Sequence, residues 1–319
     1  MTFMNKSAKT IDLSVIILNY NSGEYLLNCL KSINQSDFSR YQIEIIIPDN
    51  QSTDQSYQNI LPFLKKTKLN YQLLPLKTNS GFAAGNNQGV KISNPNSRYV
   101  LFLNPDTTIE KNTFSKMIHF FDQNPHVGAA TCHINLVATG KLQPESHRGF
   151  PTPLNTFWHF FGFGLPKLFP KSKFFNGYFL GHLDYTKIQK IDCCVGAFIM
   201  MKRSVGQSIG WWNEKYFFYG EDLDLCYKLN QKGYSLYFYP GTKINHYQGV
   251  SSGIINKSKN ISKASNQTKI RSAKASTQAM RIFYQENLIT HYPKFLHWFI
   301  WQGINLLEFY RISKIILKK

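Results

Sequence analysis

Two tryptophans and three carboxylates stand close together in the second half of the chain. Trp211 and Trp212 open an aromatic run, and Glu221, Asp222 and Asp224 follow it. Aromatic rings stack on the C–H faces of a sugar, and a carboxylate accepts a proton from a sugar hydroxyl. This combination is typical of a carbohydrate-binding catalytic pocket. Alternatively, the rings belong to the core and the acids stabilise the start of a helix, where negative charge is favourable.

Polar side chains also follow four apolar runs in the first third of the chain. They are Asn19, Asp49, the loop 79–87 and Asp106. The runs are typical of buried strands, and segments with helical spacing separate them, so the sequence predicts an α/β fold. Ligands bind beyond the carboxyl ends of the strands in such sheets. We therefore expect a sheet that is parallel at least in its first half, with the ligand site at that edge.

A glycine-rich loop follows the third apolar run. Gly81, Gly85 and Gly89 recur every four residues. This is neither the G-x-G-x-x-G spacing of a dinucleotide fold nor the G-x-x-x-x-G-K-[ST] of a P-loop, and both classes are rejected. The small residues let a helix pack closely on the sheet, or the amides of Asn86 and Asn87 reach a nucleotide. Both interpretations can hold together.

The chain is strongly basic. It carries 37 basic and 18 acidic side chains among 319 residues, a formal net charge of +19. From Ser251 onward, 12 basic residues stand against two acidic ones. The excess suits a polyanion such as a nucleotide diphosphate, a membrane surface or nucleic acid. No motif that reads RNA or DNA accompanies it, so we expect no nucleic-acid partner.

The cysteines and the N-terminal residues indicate the compartment. The five cysteines are odd in number and include no C-x-x-C pair, which favours reduced thiols over a disulfide framework or a zinc site. Residues 1–10 are polar without a following signal sequence, and no run of 18 apolar residues predicts a membrane span. We therefore expect a cytoplasmic protein.

Composition divides the chain into three segments. Residues 1–10 form a polar tail, 11–252 the main domain, and 253–319 a basic linker followed by a C-terminal amphipathic helical segment. Such a helix is typical of peripheral contact with an anionic membrane, or it packs on the main domain. Its aromatic residues include Trp298, Trp301, Phe309 and Tyr310.

Residues 140–185 are rich in proline, glycine and aromatic residues, which predicts a long irregular segment. Arg148 and several lysines lie among its aromatic side chains. This mixture of basic and aromatic residues predicts a surface that contacts an acceptor whose carrier is both anionic and apolar. Alternatively, the segment only covers one side of the core.

A family resemblance follows from motifs that occur in order: IIIPDNQSTDQS, NSGFAAGNN, LFLNPD, VGAFIMMKR, FFYGEDLDLCYKLNQKGY and NHYQG. Over about residues 11–252 the chain resembles the inverting glycosyltransferases of glycosyltransferase family 2, and most closely their rhamnosyltransferase-like branch. The resemblance implies a GT-A fold, with a mostly parallel central sheet flanked by helices and a C-terminal helical extension. It also implies a metal-dependent hexosyltransferase that builds cell-surface polysaccharide.

The resemblance implies a donor side with five residues. Asp49 would accept the imide N–H of the donor's pyrimidine, and Asn19, Asn86 and Asn87 would lie near the donor. Asp106 stands where the family's metal-binding carboxylate stands. The cofactor implied is a divalent cation, Mg²⁺ or Mn²⁺, which helps the diphosphate to leave.

The resemblance also implies an acceptor side. Asp222 matches the catalytic base, which takes the proton of the attacking hydroxyl. Glu221 and Asp224 would orient the acceptor or hold the helix start, and Trp211 and Trp212 would stack on a sugar. The resemblance further implies that His246 completes the metal site together with Asp106.

Three positions depart from the family pattern. Asn104 leaves the metal motif with one carboxylate instead of two, so the identity of the cation stays open. Pro48 removes a ladder N–H beside Asp49, so the sequence does not determine the shape of the pocket for the nucleotide base. Cys193 stands where a larger aromatic residue is common, on the acceptor side.

The function that these observations favour is transfer of L-rhamnose from dTDP-L-rhamnose to a lipid-linked oligosaccharide at the inner face of the membrane. One alternative is transfer of galactofuranose, glucose or mannose from a UDP or GDP donor. Another is a catalytically silent, membrane-attached carbohydrate-binding module, which would lack a base or an intact donor loop. A nucleotidyltransferase would need a basic phosphate loop after the first strand, where Asn19 and Tyr20 stand instead.

Overall fold

A computed structural model of the chain describes residues 11–38, 40–248 and 266–317. Within these residues, ten strands form one mixed sheet in the order β3-β2-β1-β4-β9-β6-β10-β5, with β7 beside β6 and β8 beside β10. The strands are β1 Leu13–Ile16, β2 Ile43–Asp49, β3 Tyr71–Pro75, β4 Tyr99–Leu103, β5 Thr107–Ile109, β6 Val127–Leu136, β7 Lys141–Leu142, β8 Gln189–Ile191, β9 Phe198–Lys202 and β10 Ser235–His246.

Helices cover the sheet and extend beyond it. In α1 the buried residues Leu26, Leu30 and Ile33 recur every three or four positions, which is the spacing that turns one helical face to a core. The α-helices of the described residues are α1 Tyr25–Asn34, α2 Ser56–Leu64, α3 Phe82–Ile92, α4 Thr113–Gln123, α5 Pro153–Phe161, α6 Leu165–Leu168, α7 Arg203–Ile209, α8 Glu221–Gln231, α9 Asn266–Phe283 and α10 Lys294–Leu317.

The first half of the sheet is parallel. β1 pairs in parallel with β2 and β4, and β2 pairs in parallel with β3, whereas β9 runs antiparallel to both β4 and β6. Every residue of β1, β2 and β4 is buried, as expected for strands covered on both faces. The predicted fold class, a mostly parallel sheet flanked by helices with a C-terminal helical region, is confirmed.

Two glycines let α3 pack closely on the sheet. A Cβ on Gly89 would lie 2.6 Å from Ile16 Cγ2 and 2.8 Å from Pro48 Cγ, and one on Gly85 would lie 2.6 Å from Leu18 Cδ1. No side chain fits at these distances without displacing its neighbours. The close-packing interpretation of the glycine loop is therefore correct.

The segment predicted to be irregular contains a regular helix. The Thr152 hydroxyl accepts a hydrogen bond from Asn155 N, and Pro153 occupies the first turn of α5. A threonine before a proline is a helix-start signal, because the hydroxyl caps a free N–H and proline needs none. The prediction of irregular structure was wrong here because it weighed the proline and glycine content above this local signal.

The basic stretch predicted to be a linker is helical from Asn266 onward, as α9. Ala279 and Phe283 of α9 are buried in a cluster with Tyr216 and Tyr227, so packing against α8 and the loop before it stabilises a helix of weakly apolar sequence. The predicted polar tail, residues 1–10, and the boundary after residue 252 lie outside the described residues.

Tertiary contacts also hold α10, the predicted amphipathic helix. It packs on α9 through Glu308, which pairs with Arg281 at 2.8 Å, and it buries Ile304 and Leu307. Trp298 and Phe309 remain 62% and 70% exposed. In the part of the chain that the structure describes, no helix combines the length and the hydropathy needed to cross a bilayer.

Gly89→Ala should lower the free energy of unfolding, because overpacking costs about 1–3 kcal/mol and outweighs a helix-propensity gain of about 1 kcal/mol. The matched control is Gly303→Ala in α10, where a Cβ meets nothing within 4 Å and only the propensity gain remains. Urea denaturation of both variants measures the difference. Equal stability of the two variants would contradict the close packing.

Candidate active site

A cavity of about 1150 Å³ opens at the carboxyl ends of the parallel strands. This is at or above the size of pockets that hold one small ligand. The loops after β1, β2 and β4 and the loop before α3 all reach it, so the predicted convergence of polar loops on one edge occurs. The polar side chains that these loops contribute are Tyr20, Asn21, Asn50, Asn79, Asn104 and Asp106.

Asp106 and His246 lie side by side in this cavity. His246 is the last residue of β10, which pairs with β5 so that His246 stands opposite Thr107. Its Nε2 lies 3.3 Å from Asp106 Oδ1, and its Nδ1 lies 2.8 Å from Gln143 Oε1. All three side chains are buried. The ladder therefore joins two predicted metal ligands that are far apart in sequence.

The Asp106–His246 pair fits a divalent cation. A cation between the two side chains would bind the Nε2 lone pair and the Asp106 carboxylate, with Nδ1–H then donating to Gln143 Oε1. Metal-binding histidines carry this second hydrogen bond. Within the described ranges, no group of three or more His, Cys, Asp or Glu side chains could enclose a metal. The remaining ligands would therefore come from a bound diphosphate and water, as is usual for Mg²⁺.

Asp222 lies at the start of α8 and is paired with Arg148. Its Oδ2 is 2.8 Å from Arg148 Nη2, and its Oδ1 accepts a hydrogen bond from Leu223 N at 2.8 Å. Arg148 is held by two backbone hydrogen bonds to Cys193. Both charged side chains are nearly buried, so each requires the other to offset the loss of water. Sequence reasoning noted Arg148 only as a basic residue of the segment 140–185, and no motif spacing indicated its pairing.

Glu221 keeps its proton more readily than an ordinary glutamate. Burial, and then the neighbouring charge of Asp222, raise its pKa to about 8. Its Oε2 has no hydrogen-bond partner among the described residues, and the side chain lines the cavity. At neutral pH it is a carboxylic acid that can donate a hydrogen bond to a ligand oxygen.

The predicted donor residues Asn19 and Asp49 form a network behind the cavity wall. Asn19 Nδ2 donates to Asp49 Oδ1 at 2.6 Å, and Ser52 donates to the same carboxylate from its hydroxyl and its backbone N–H. Neither Asn19 nor Asp49 is among the cavity-lining residues, whereas Asn50 is. The network orients the loop that carries Asn50. Base recognition by Asp49 remains a prediction.

The side chains of Asn86 and Asn87 do not line the cavity, contrary to their predicted contact with the donor. Asn86 Nδ2 donates to Phe82 O at 3.0 Å. Asn87 Nδ2 donates to Trp212 O and to Glu214, and its Oδ1 accepts from Trp212 N at 3.2 Å. Both amides are buried, and a buried amide requires such partners. Asn87 therefore joins α3 to the segment that precedes α8.

The two tryptophans do not reach the cavity either. The Trp212 ring is 2% exposed and packs edge-on against Phe102, with ring centroids 4.9 Å apart. The Trp211 ring lies over Gly206 of α7. Neither ring lines the cavity, so the predicted stacking on a sugar bound there does not hold. The alternative interpretation, that these rings are core, describes them correctly.

Asp224 likewise serves the local structure and not an acceptor. It is 1% exposed, pairs with Lys228 at 3.0 Å, and accepts from Asn287 Nδ2 at 3.1 Å. It does not line the cavity. Of the two predicted roles for Asp224, the structure favours holding the start of α8, where it also ties that helix to the residues after α9.

Sequence reasoning missed two further side chains. Gln143 positions His246, and Tyr20 lines the cavity beside the Asn50 loop. Neither belongs to a motif whose spacing indicates a role. Only the fold, which brings the residue after β7 against the last residue of β10, makes the role of Gln143 visible.

Known proteins resemble this chain along much of its length. The poly(ribitol-phosphate) β-N-acetylglucosaminyltransferase TarS of Staphylococcus aureus is 33% identical over 138 residues, which is 43% of this chain but only 22% of TarS. The N-acetylglucosaminyl-diphospho-decaprenol L-rhamnosyltransferase of Mycobacterium tuberculosis is 22% identical over 256 residues, covering 76% of this chain and 78% of that protein.

A solved structure resembles the fold. The mannosyltransferase PcManGT from Pyrobaculum calidifontis, in complex with GDP-Man and Mn²⁺, superposes with a TM-score of 0.57. The likeness covers 97% of this chain and 74% of that one at 13% identity, so it shows the fold alone. The model of the family described as "Glycosyl transferase family 2" matches residues 14–210, more than half of the chain. This protein therefore belongs to glycosyl transferase family 2.

Proposed function

We propose that the protein is an inverting, metal-dependent hexosyltransferase of glycan biosynthesis. It would move L-rhamnose from dTDP-L-rhamnose to a growing, lipid-linked cell-surface oligosaccharide. The observation that carries the proposal is one cavity that holds both the Asp106–His246 pair and the Asp222 carboxylate. A transferase needs both a site for the leaving diphosphate and a base for the incoming hydroxyl.

The relatives support the donor and the acceptor to different degrees. The mycobacterial relative is an L-rhamnosyltransferase that acts on a sugar-diphospho-decaprenol, and it covers most of this chain. This supports a rhamnose donor and an isoprenoid diphosphate as carrier. TarS is an N-acetylglucosaminyltransferase, and PcManGT holds GDP-Man. A UDP- or GDP-sugar donor is therefore the alternative that the tests below must separate.

The residues around the cavity suit a single displacement at the anomeric carbon. The acceptor oxygen forms a bond to this carbon as the bond to the diphosphate breaks, and the diphosphate leaves with the electron pair. Asp222 would take the proton of the acceptor hydroxyl. Asp106 and His246 would hold Mg²⁺ or Mn²⁺, which supplies positive charge to the departing diphosphate.

Arg148 and Glu221 complete the acceptor side of this mechanism. Arg148 holds the orientation of the Asp222 carboxylate through their 2.8 Å ion pair, while the carboxylate retains free lone pairs. Glu221, as a neutral acid, would donate a hydrogen bond to a sugar oxygen. The raised pKa of Glu221 suits it to the acid role, beside an ion-paired carboxylate in the base role.

The exposed aromatic side chains of α10 suit peripheral contact with an anionic membrane. Trp298 and Phe309 are exposed, and aromatic and basic side chains together favour the membrane interface. We place the protein on the cytoplasmic face of the cell membrane, where a lipid-linked acceptor would be within reach.

Asp222→Asn should lower the rate of sugar transfer by about 10²–10⁴-fold, because the amide cannot take the hydroxyl proton. Binding of the nucleotide sugar should change little. The control is Asp184→Asn, an exposed carboxylate outside the cavity, which should retain transfer. Product formation and donor affinity are measured for all three proteins. Full turnover by Asp222→Asn would remove the base assignment.

Binding of the true donor should raise the melting temperature of the protein. Thermal-shift measurements with a panel of nucleotide sugars, each with and without Mn²⁺ or Mg²⁺, test this. We expect the largest shift with dTDP-L-rhamnose plus a cation. Asp106→Ala should lose the cation-dependent part of this shift, since it removes the only carboxylate of the metal pair. A larger shift with a UDP- or GDP-sugar would overturn the donor. Equal shifts of the wild type with and without cation would overturn the metal.

Glu221→Gln should change how stability depends on pH. A carboxyl whose pKa rises from 4.5 to about 8 on folding contributes stability below pH 4.5, and this stability is lost as the pH rises to about 8. The wild type should therefore lose stability over this window, and the variant should lose less. Thermal unfolding between pH 5 and 9 measures this, with Glu24→Gln as an exposed control. Parallel curves for wild type and Glu221→Gln would contradict the raised pKa.

A further inference from the structure

Most exposed large hydrophobic side chains of the described residues lie in two segments, one from α5 to the residues after α6 and the other in α10. Phe157 and Phe161 of α5 are 48% and 37% exposed, and Phe299 of α10 is 62% exposed. These three side chains line the same cavity as Asp222. Large apolar surfaces beside polar residues mark interaction sites.

The helices α9 and α10 form an apolar wall of this cavity. Met280 of α9 and Leu296, Ile300, Ile304 and Leu307 of α10 face it. Together with Phe157, Phe161 and Phe299 they form what we call the helical trough. Apart from the weak methionine sulfur, these side chains offer no hydrogen-bond donor or acceptor. A nucleotide or an oligosaccharide would lose hydrogen bonds to water there without replacement, whereas a hydrocarbon chain would not.

Two arginines face the cavity without a carboxylate partner. Among the described residues, Arg281 of α9 is neutralised by Glu308, but no carboxylate pairs with Arg271 or Arg311. Both of the latter line the cavity. A guanidinium group near an apolar wall attracts an anion, and its paired N–H groups match phosphate oxygens.

Arg311 lies between the two hydrophobic segments. It donates a hydrogen bond to Ser276 Oγ of α9 at 2.6 Å, and its guanidinium carbon lies 5.5 Å from the centroid of the Phe160 ring of α5. These contacts hold its side chain at the junction of α5, α9 and α10. The group is therefore positioned in advance for an anion that enters the trough.

We propose that the helical trough holds the hydrocarbon chain of an isoprenoid diphosphate that carries the acceptor sugar, and that Arg311 and Arg271 bind its diphosphate. This rests on the proposed transferase function, in which Asp222 takes the acceptor's proton. A single cavity offers a carboxylate for the sugar hydroxyl, guanidinium groups for the diphosphate and an apolar wall for the chain. These are the three parts of such a molecule.

Binding of geranylgeranyl diphosphate to the full-length protein tests this assignment, measured by calorimetry below the lipid's aggregation concentration. Inorganic pyrophosphate supplies the headgroup alone, and geranylgeraniol the chain alone. The diphosphate lipid should bind at least about tenfold more tightly than either part. Arg311→Ala should weaken its binding by about tenfold, which is the usual effect of losing a charged hydrogen bond.

A matched pair of variants separates the trough from the surface of α10. Phe299 and Trp298 are both 62% exposed, but only Phe299 lines the cavity. Phe299→Ser should weaken binding of geranylgeranyl diphosphate by about fivefold, and Trp298→Ser should leave it unchanged. Equal effects of the two substitutions, or pyrophosphate binding as tightly as the lipid, would overturn the assignment.

Two further measurements separate the possible failures. Sedimentation with phosphatidylglycerol vesicles reports membrane contact. If Phe299→Ser and Trp298→Ser lose vesicle binding equally but keep their affinity for geranylgeranyl diphosphate, α10 binds only a bilayer surface and the trough assignment is overturned. The thermal shift with nucleotide sugars should persist in Phe299→Ser. If it persists but the lipid does not bind, the trough assignment fails and the transferase function stands. If no nucleotide sugar binds even the wild type, the transferase function fails.

Discussion

The burial of Glu221 and Asp222 next to each other, in the cavity that Asp106 also lines, is the constraint on which the site depends. Neighbouring negative charges in a partly dry space are unfavourable, and the three carboxyl groups have different surroundings. Asp106 lies against His246, Asp222 is paired with buried Arg148, and Glu221 retains its proton. In the proposed mechanism Asp106 binds a cation, Asp222 takes a proton and Glu221 donates a hydrogen bond. The chemical roles thus follow from the way the fold distributes charge.

A layer of buried residues behind the cavity holds these carboxyl groups in place. The Asn87 side chain binds the backbone of Trp212, and the Trp212 ring packs on Phe102 of β4. This anchors the segment that leads into α8 to the parallel half of the sheet. Asp224 ties the first turn of the same helix to Asn287. These polar residues position the site without lining the cavity, because buried polar groups must satisfy their hydrogen bonds within the protein.

The C-terminal helices are part of the site and not an appendage to it. A Cβ on Gly220, directly before α8, would lie 2.9 Å from Ala279 Cβ, so α9 packs against the turn that presents Asp222. The division predicted from composition, with a main domain ending near residue 252, therefore does not separate the residues that line the cavity. Packing also explains why α9 is helical although its sequence is basic and poor in apolar residues.

Sequence alone was sufficient for the parallel half of the sheet and for the position of Asp106 at its edge, since parallel strands bring their carboxyl ends to one edge whatever joins them. It also indicated His246 and Asp222 through a family resemblance. Only the tertiary structure decided that Arg148 meets Asp222, 74 positions away, and that Trp212 faces the core. The reason is physical: local spacing determines which face of an element is apolar or polar. Which residue packs across that face depends on how distant segments come together. The burial, charge pairing and protonation of a side chain depend on this packing as well.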